Sequence, residues 1–179
     1  LFTKKNKIFG SCWGLQVLVT AAGGKVRKNP NGLEAILAKG IKLSDEGICH
    51  DMYKNKKNSF NAFCWHYDEA ETLPKDTLVL ASNEKCKFQS ISFNLDQSCV
   101  WAVQYHPEFN PKWMAGLMEQ RKEILLENKI YEKLSDLKKE KEIFEDQNNF
   151  LPNELIFYND VLNEKMHSLE LTNWLNHNN

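Results

Sequence analysis

The sequence predicts an α/β domain with a helical extension at its C-terminal end, on three observations. A short apolar run, Ile8-Phe9, leads into Gly10-Ser11-Cys12-Trp13-Gly14 and then an apolar stretch, which reads as a sharp strand-to-helix turn. Short runs bounded by turn residues follow, and Phe88 to Leu95 alternates with the period of a strand. From Pro111 onward, Trp113, Leu117, Met118, Ile124 and Leu125 recur at helical spacing instead.

Each element has a local reason. Gly14 to Ala22 reads as a short apolar helix that Gly23-Gly24 stops, because glycine accepts the left-handed conformation of a helix end. Lys25 to Asn29 reads as a short strand before the turn Asn29-Pro30-Asn31-Gly32. Glu34 to Ser44 reads as a strand around Gly40, and Gly47 to Lys57 as a loop with one helical turn. Phe60 to Trp65 and Thr77 to Ser82 read as strands separated by Leu73-Pro74-Lys75-Asp76. Asp96-Gln97 turns the chain from Phe88–Leu95 into a buried strand, Cys99 to Tyr105. Leu134 to Gln147 reads as a highly charged helix or coil, and Pro152 opens one last helix running on through Trp174. The predicted division is 1–127 for the α/β domain and 128–179 for the helical extension.

The composition excludes several classes. Of 179 residues, 42% are apolar and 26% charged, enough for a real core. A net charge of −1 offers no nucleic-acid or membrane surface, and the Lys138–Glu142 run alternates in sign as a solvated helix face does. No apolar run approaches the length of a membrane span. The five cysteines are scattered without the spacing of a metal or redox pair, so no metal, cofactor or disulfide framework is expected. A thiol protein of a reducing cytoplasm fits better.

One cysteine stands apart. Cys12 lies between two glycines, and far downstream the chain reads Gln104-Tyr105-His106-Pro107-Glu108. A nucleophile on a tight turn needs neighbours without side chains, a role assigned here to Gly10 and Gly14. The N-terminus of the following helix is expected to lower the pKa of the Cys12 thiol. A base needs an orienting group, and residues two apart on a strand point the same way, so His106 and Glu108 can both face Cys12. An isolated cysteine is more often a small core residue. The glycines and the downstream His-Pro-Glu make Cys12 the candidate nucleophile, His106 the base and Glu108 its orienter.

These segments resemble the class I glutamine amidotransferases. Gly10 to Gln16 is similar to the family's nucleophile elbow, and Gln104 to Glu108 to its His-Pro-Glu motif. Ala21 to Val26 resembles the segment after the nucleophile helix, and Trp65-His66-Tyr67-Asp68-Glu69 the glutamine-pocket segment. The resemblance runs roughly from Ile8 to Arg121, and the ending, Leu169 to Leu175, resembles a stand-alone, GMP-synthase-like subgroup. It implies a flavodoxin-like, mostly parallel sheet. It implies a Cys12–His106–Glu108 triad, with Trp13, Gly14 and Gln16 from the elbow and Trp65, His66 and Tyr67 from the pocket segment holding the substrate, partly through backbone. His66 itself reads as a structural histidine. Trp65 stands where the family often has serine.

The resemblance also implies strands and a Gly-rich loop upstream of the elbow, the loop giving one of two oxyanion donors beside the Trp13 N–H. Only eleven residues precede Cys12, the first is Leu1, and Lys4, Lys5, Asn6 and Lys7 shorten the apolar strand. The sequence therefore reads as an N-terminally incomplete domain or one that has lost that part, expected to be a weak glutaminase prone to self-association. The expected activity is hydrolysis of the glutamine side-chain amide through a γ-glutamyl thioester, releasing ammonia to an acceptor, with a synthetase as partner. The alternatives are a γ-glutamyl hydrolase or peptidase with the same triad, and an inactive homologue that binds a partner.

Overall fold

The computed structural model describes residues 6–177, so the readings at Leu1, Lys4 and Lys5 lie outside the described residues. Among the described residues there are eight strands and nine α-helices. They begin with β1 (Lys7–Ser11), α1 (Trp13–Ala21), β2 (Lys25–Lys28), β3 (Glu34–Leu43) and α2 (Asp45–Cys49). Next come β4 (Ser59–His66), β5 (Asp68–Thr72), β6 (Leu78–Ser82), β7 (Ser90–Leu95) and β8 (Ser98–Val103). The helices that follow are α3 (Pro111–Gln120), α4 (Lys122–Glu127), α5 (Leu134–Glu145), α6 (Pro152–Leu155), α7 (Asn159–Leu162), α8 (Glu164–His167) and α9 (Leu169–Asn176).

The main sheet has the order β1-β8-β7-β6-β3-β4, and β2 pairs with β5 in a small second sheet. The α/β class is as predicted, but the described sheet is mixed, not mostly parallel. Among its described pairings only β1 and β8 run parallel; the others are antiparallel. The physical reason lies in the connections. Leu95 pairs with Ser98 across the tight Asp96-Gln97 turn, and a link that short can only join antiparallel strands. Asp96 holds the turn at φ 52°, a conformation Asp tolerates better than most residues. Strand β5 escapes the sequence pattern, because Asp68 to Thr72 lacks an apolar alternation.

Strand β8 places side chains on both faces of the sheet. Val100 and Ala102 pack with Leu15 and Val19 of α1, whereas Trp101 and Val103 join a second cluster with Tyr53, Phe60 and Tyr105. A third cluster joins Leu33 and Phe63 of the sheet region to Met114 of α3, Phe144 of α5 and Val161 of α7. The C-terminal segment thus shares a core with the sheet. The single helix expected from Pro152 is broken into short pieces. Asn163 accepts from the Lys165 N–H and opens α8, and Ser168 precedes α9. Such side chains compete with helical backbone bonds and end helices.

Helix α9 is tied down by a buried polar clamp. The Lys56 ammonium lies 2.8 Å from Glu170 Oε1, with side chains 2% and 0% exposed. Lys56 also donates to the Met166 carbonyl, and the Tyr105 hydroxyl donates to Glu170 Oε1 at 2.7 Å. Lys7 of β1 adds a cation at the other end of α9, donating to the Trp174 and His177 carbonyls where the helix dipole is negative.

Candidate active site

Because β1 and β8 are parallel neighbours, their C-terminal ends emerge at the same edge of the sheet. This is what brings two distant motifs together. β1 delivers Cys12 and β8 delivers Gln104, Tyr105 and His106. The Cys12 N–H donates to the Val103 carbonyl at 2.8 Å, and the His106 N–H to Phe63 at 2.7 Å, so both residues are pinned by backbone bonds.

Cys12 sits at φ 49° and ψ −103°, a strained conformation for a residue with a Cβ. Helix α1 starts at the next residue. A Cβ at Gly10 would fall 2.6 Å from Leu18 Cδ1 and 2.9 Å from the Gly14 carbonyl carbon, so only glycine lets α1 approach β1 this closely. Gly14 differs from the expectation. A Cβ there would meet nothing within 4 Å, so the turn does not require it.

The thiol is surrounded by donors and carbonyls. The Gln104 amide donates to Cys12 Sγ at 3.6 Å, and the Trp65 carbonyl accepts from Sγ at 3.6 Å. The expectation of a lowered thiol pKa is overturned for the free site. Burial pushes the Cys12 thiol up to about 11, and the Glu108 charge adds to this, while the Trp13 N–H and Gln104 pull the other way. At neutral pH the thiol keeps its proton until something takes it.

His106 and Glu108 form a close pair, Nδ1 to Oε1 2.6 Å. The Ser11 hydroxyl lies 2.9 Å from both Glu108 oxygens and 3.4 Å from His106 Nδ1. Burial raises the Glu108 carboxyl, but the His106 hydrogen bond and charge outweigh it, with a smaller contribution from Ser11, and hold it below its ordinary value. The His106 ring stacks flat on Phe109, centroids 3.9 Å apart and planes 4° apart. Phe109 in turn packs on Trp113, centroids 3.9 Å apart and planes tilted by 36°.

Cys12 and His106 line one cavity of about 400 Å³. Trp65 and Tyr67 of the pocket segment line it too, as do Phe109 and Trp113. Gln16 is buried and donates to the Asp68 carbonyl at 2.9 Å, which ties α1 to the pocket segment. Trp13 is 75% exposed, so its N–H, not its ring, is what reaches the thiol. The His66 side chain faces away from the thiol cavity's lining and into a polar cluster. Its ring is buried, with Nε2 2.8 Å from Glu34 and Nδ1 3.0 Å from the Asp68 carbonyl. Both ring nitrogens are engaged by these partners, so only the His66 backbone remains for a substrate. No cluster of His, Cys, Asp and Glu able to hold a metal occurs among the described residues.

Two groups at the site carry no assignment from sequence. Gln104 is two residues before His106, and the strand period alone places it on the same side. Ser11 has no comparable signal, because its role depends on where Glu108 ends up.

A class I glutamine amidotransferase family model matches residues 1–124. The chain belongs to the class I glutamine amidotransferases. Among curated relatives, a γ-glutamyl-L-1-hydroxyisopropylamide hydrolase of a Pseudomonas species is 30% identical across 98% of this chain and 62% of its own length. The glutamine-hydrolysing GMP synthase subunit of Methanococcus vannielii is 33% identical over 58% of this chain and 51% of its own. A crystal structure of a glutamine amidotransferase from Thermotoga maritima superposes with a TM-score of 0.63 at 18% identity, covering 94% of this chain and 62% of that one. The chain therefore spans about half to three-fifths of the length of these relatives. No helix among the described residues is long and apolar enough to cross a membrane.

Proposed function

We propose that this site hydrolyses the γ-amide of a γ-glutamyl compound, glutamine included, through a Cys12–His106–Glu108 triad. The observation that carries the reading is the juxtaposition itself: a cysteine on a strained elbow and a carboxylate-paired histidine line one cavity. His106 takes the Cys12 proton as sulfur attacks the γ-carbonyl carbon. The Trp13 N–H faces the developing oxyanion as one donor. The C–N bond breaks, and His106 passes the proton to the departing nitrogen. Water, activated by the same imidazole, then hydrolyses the γ-glutamyl thioester and frees glutamate. Glu108 and Ser11 keep the imidazole oriented. The raised thiol pKa fits this order, because proton transfer is then coupled to attack and free Cys12 stays unreactive.

Hydrolysis with water as acceptor is favoured over ammonia supply to a synthetase. The γ-glutamyl amide hydrolase resembles the whole described chain, whereas the GMP synthase subunit resembles little more than half. A synthetase partner belongs to the second reading. The paired His106 and Glu108 speak against an inactive binding module. The free cysteines suit a reducing compartment, the cytoplasm. The test is acid quench during turnover of glutamine and of a γ-glutamyl amide, followed by intact mass analysis. A γ-glutamyl adduct on Cys12 is expected, and its absence during measurable turnover would overturn the mechanism.

A further inference from the structure

The proposed reaction fixes where a leaving group must go. With the γ-carbonyl carbon at Cys12 Sγ, the departing nitrogen has to lie within hydrogen-bond reach of His106. His106 is flat against Phe109, and Phe109 meets Trp113 at a 36° tilt with centroids 3.9 Å apart. Any substituent on that nitrogen is carried along this aromatic stack, onto a wall that continues with Leu117 and Ile124. Ammonia, the leaving group of glutamine, would leave the wall uncovered. Trp113 is 49% exposed, with one side of its ring packed on Phe109. A large aromatic left half-bare beside the Cys12 thiol is poised for an apolar ligand. Arg121, exposed at the end of the same lining, is its one permanently charged side chain. Its guanidinium matches a carboxylate.

We infer that the preferred substrates are γ-glutamyl dipeptides whose second residue is a large apolar amino acid. Its side chain lies on Phe109 and Trp113, and its carboxylate faces Arg121. This rests on the proposed reading of Cys12 and His106. The step is hydrolytic throughout: the C–N bond of the γ-amide breaks, the amino acid departs with the proton relayed by His106, and water releases glutamate from Cys12.

The test separates binding from chemistry. The Cys12→Ala chain is titrated calorimetrically with γ-glutamyl-phenylalanine, γ-glutamyl-glycine and glutamine. The phenylalanine dipeptide is expected to bind at least about tenfold more tightly than either of the others, the scale of a filled apolar subsite. Adding Trp113→Ala should erase that gap, and Trp113→Phe should keep most of it. Arg121→Gln should weaken the dipeptide but not γ-glutamyl-phenethylamide, which lacks the carboxylate. Equal or weaker binding of the phenylalanine dipeptide, no binding of any of the three, a gap that survives Trp113→Ala, or equal weakening of both ligands by Arg121→Gln would each overturn the inference. Absence of turnover in the intact chain, with the binding pattern as expected, would instead strike only the proposed chemistry.

Discussion

The Cys12 cavity and the Glu170 clamp lie on either side of the His106 segment and are built in opposite ways. In the cavity, Cys12 is strained, its thiol has long contacts of 3.6 Å, and the Glu108 side chain is 41% exposed. In the clamp, Lys56 and Glu170 are almost fully buried and their charges paired, with Tyr105 adding a bond to Glu170. The Tyr105 hydroxyl also bonds Tyr53 at 2.9 Å. The difference teaches how a strained residue is held. Strain persists only where surroundings over-determine it. Tyr105 belongs to the clamp, and the next residue is His106. A second contact, His167 Nδ1 donating to the Pro107 carbonyl at 3.3 Å, joins the C-terminal segment to the same motif.

The largest expected effect breaks the cavity. Cys12→Ala should abolish γ-amide hydrolysis, a loss on the order of 10⁴-fold or more. His106→Ala should cost nearly as much, and the double variant little more, since members of one unit are not additive. Steady-state release of amine or ammonia measures this. A His106→Ala chain within a few-fold of the parent would mean that another base operates.

A second comparison uses pH. With the Cys12 thiol at about 11, its alkylation by iodoacetamide should be slow at neutral pH. It should rise about tenfold per pH unit towards that value, because only the thiolate reacts. An electrophile carrying a γ-glutamyl group should label Cys12 quickly even at neutral pH, through proton transfer to His106. A plateau in iodoacetamide labelling well below pH 9 would show that the helix N-terminus outweighs burial.

The clamp should respond in stability. Glu170→Ala leaves the Lys56 ammonium buried without its carboxylate, and breaking a buried pair this way costs about 3–5 kcal/mol. Lys56→Met with Glu170→Leu removes both charges and should recover most of that loss. Denaturant unfolding measures both variants. If the double variant is as unstable as the single, packing and not charge holds α9.

These two regions are unequally legible in sequence. The elbow and the His-Pro-Glu segment are short, contiguous patterns, and Gly10 announces a close approach by its lack of a Cβ. The clamp joins residues far apart in sequence, and no local pattern links Lys56 to Glu170. Strand pairing is unreadable for the same reason: β3 finds β4 and β6, and nothing within Glu34 to Leu43 says so. The helical period around Trp113 matches the structure, but period does not tell core from cavity. Met118 and Leu125 of that pattern are buried, whereas Trp113 is half-bare at the thiol cavity. Asn163 and Ser168 are legible as helix breakers, but the apolar pattern around them outweighs that signal.

The smallest effect should sharpen the description of the cavity. Ser11→Ala removes a hydroxyl that donates to the charged form of Glu108, without touching Cys12 or the substrate. Turnover near neutrality should fall less than about tenfold, because the 2.6 Å bond from His106 still orients the imidazole. The acid side should move more visibly. Burial raises the Glu108 carboxyl, and its hydrogen bonds and the His106 charge bring it back below the ordinary value. With this lowered value, what the His106–Glu108 pair contributes is present above the unfolded carboxylate range and is lost as pH falls through the folded value. Losing the Ser11 bond lets the Glu108 value climb, so that loss should begin at higher pH in the variant. Carbon-detected titration of the Glu108 carboxyl, followed alongside the acid limb of kcat/KM, separates the two consequences. A carboxyl that titrates unchanged in Ser11→Ala would mean that the hydroxyl serves the Tyr105 carbonyl, 3.3 Å away, and not the orienting carboxylate.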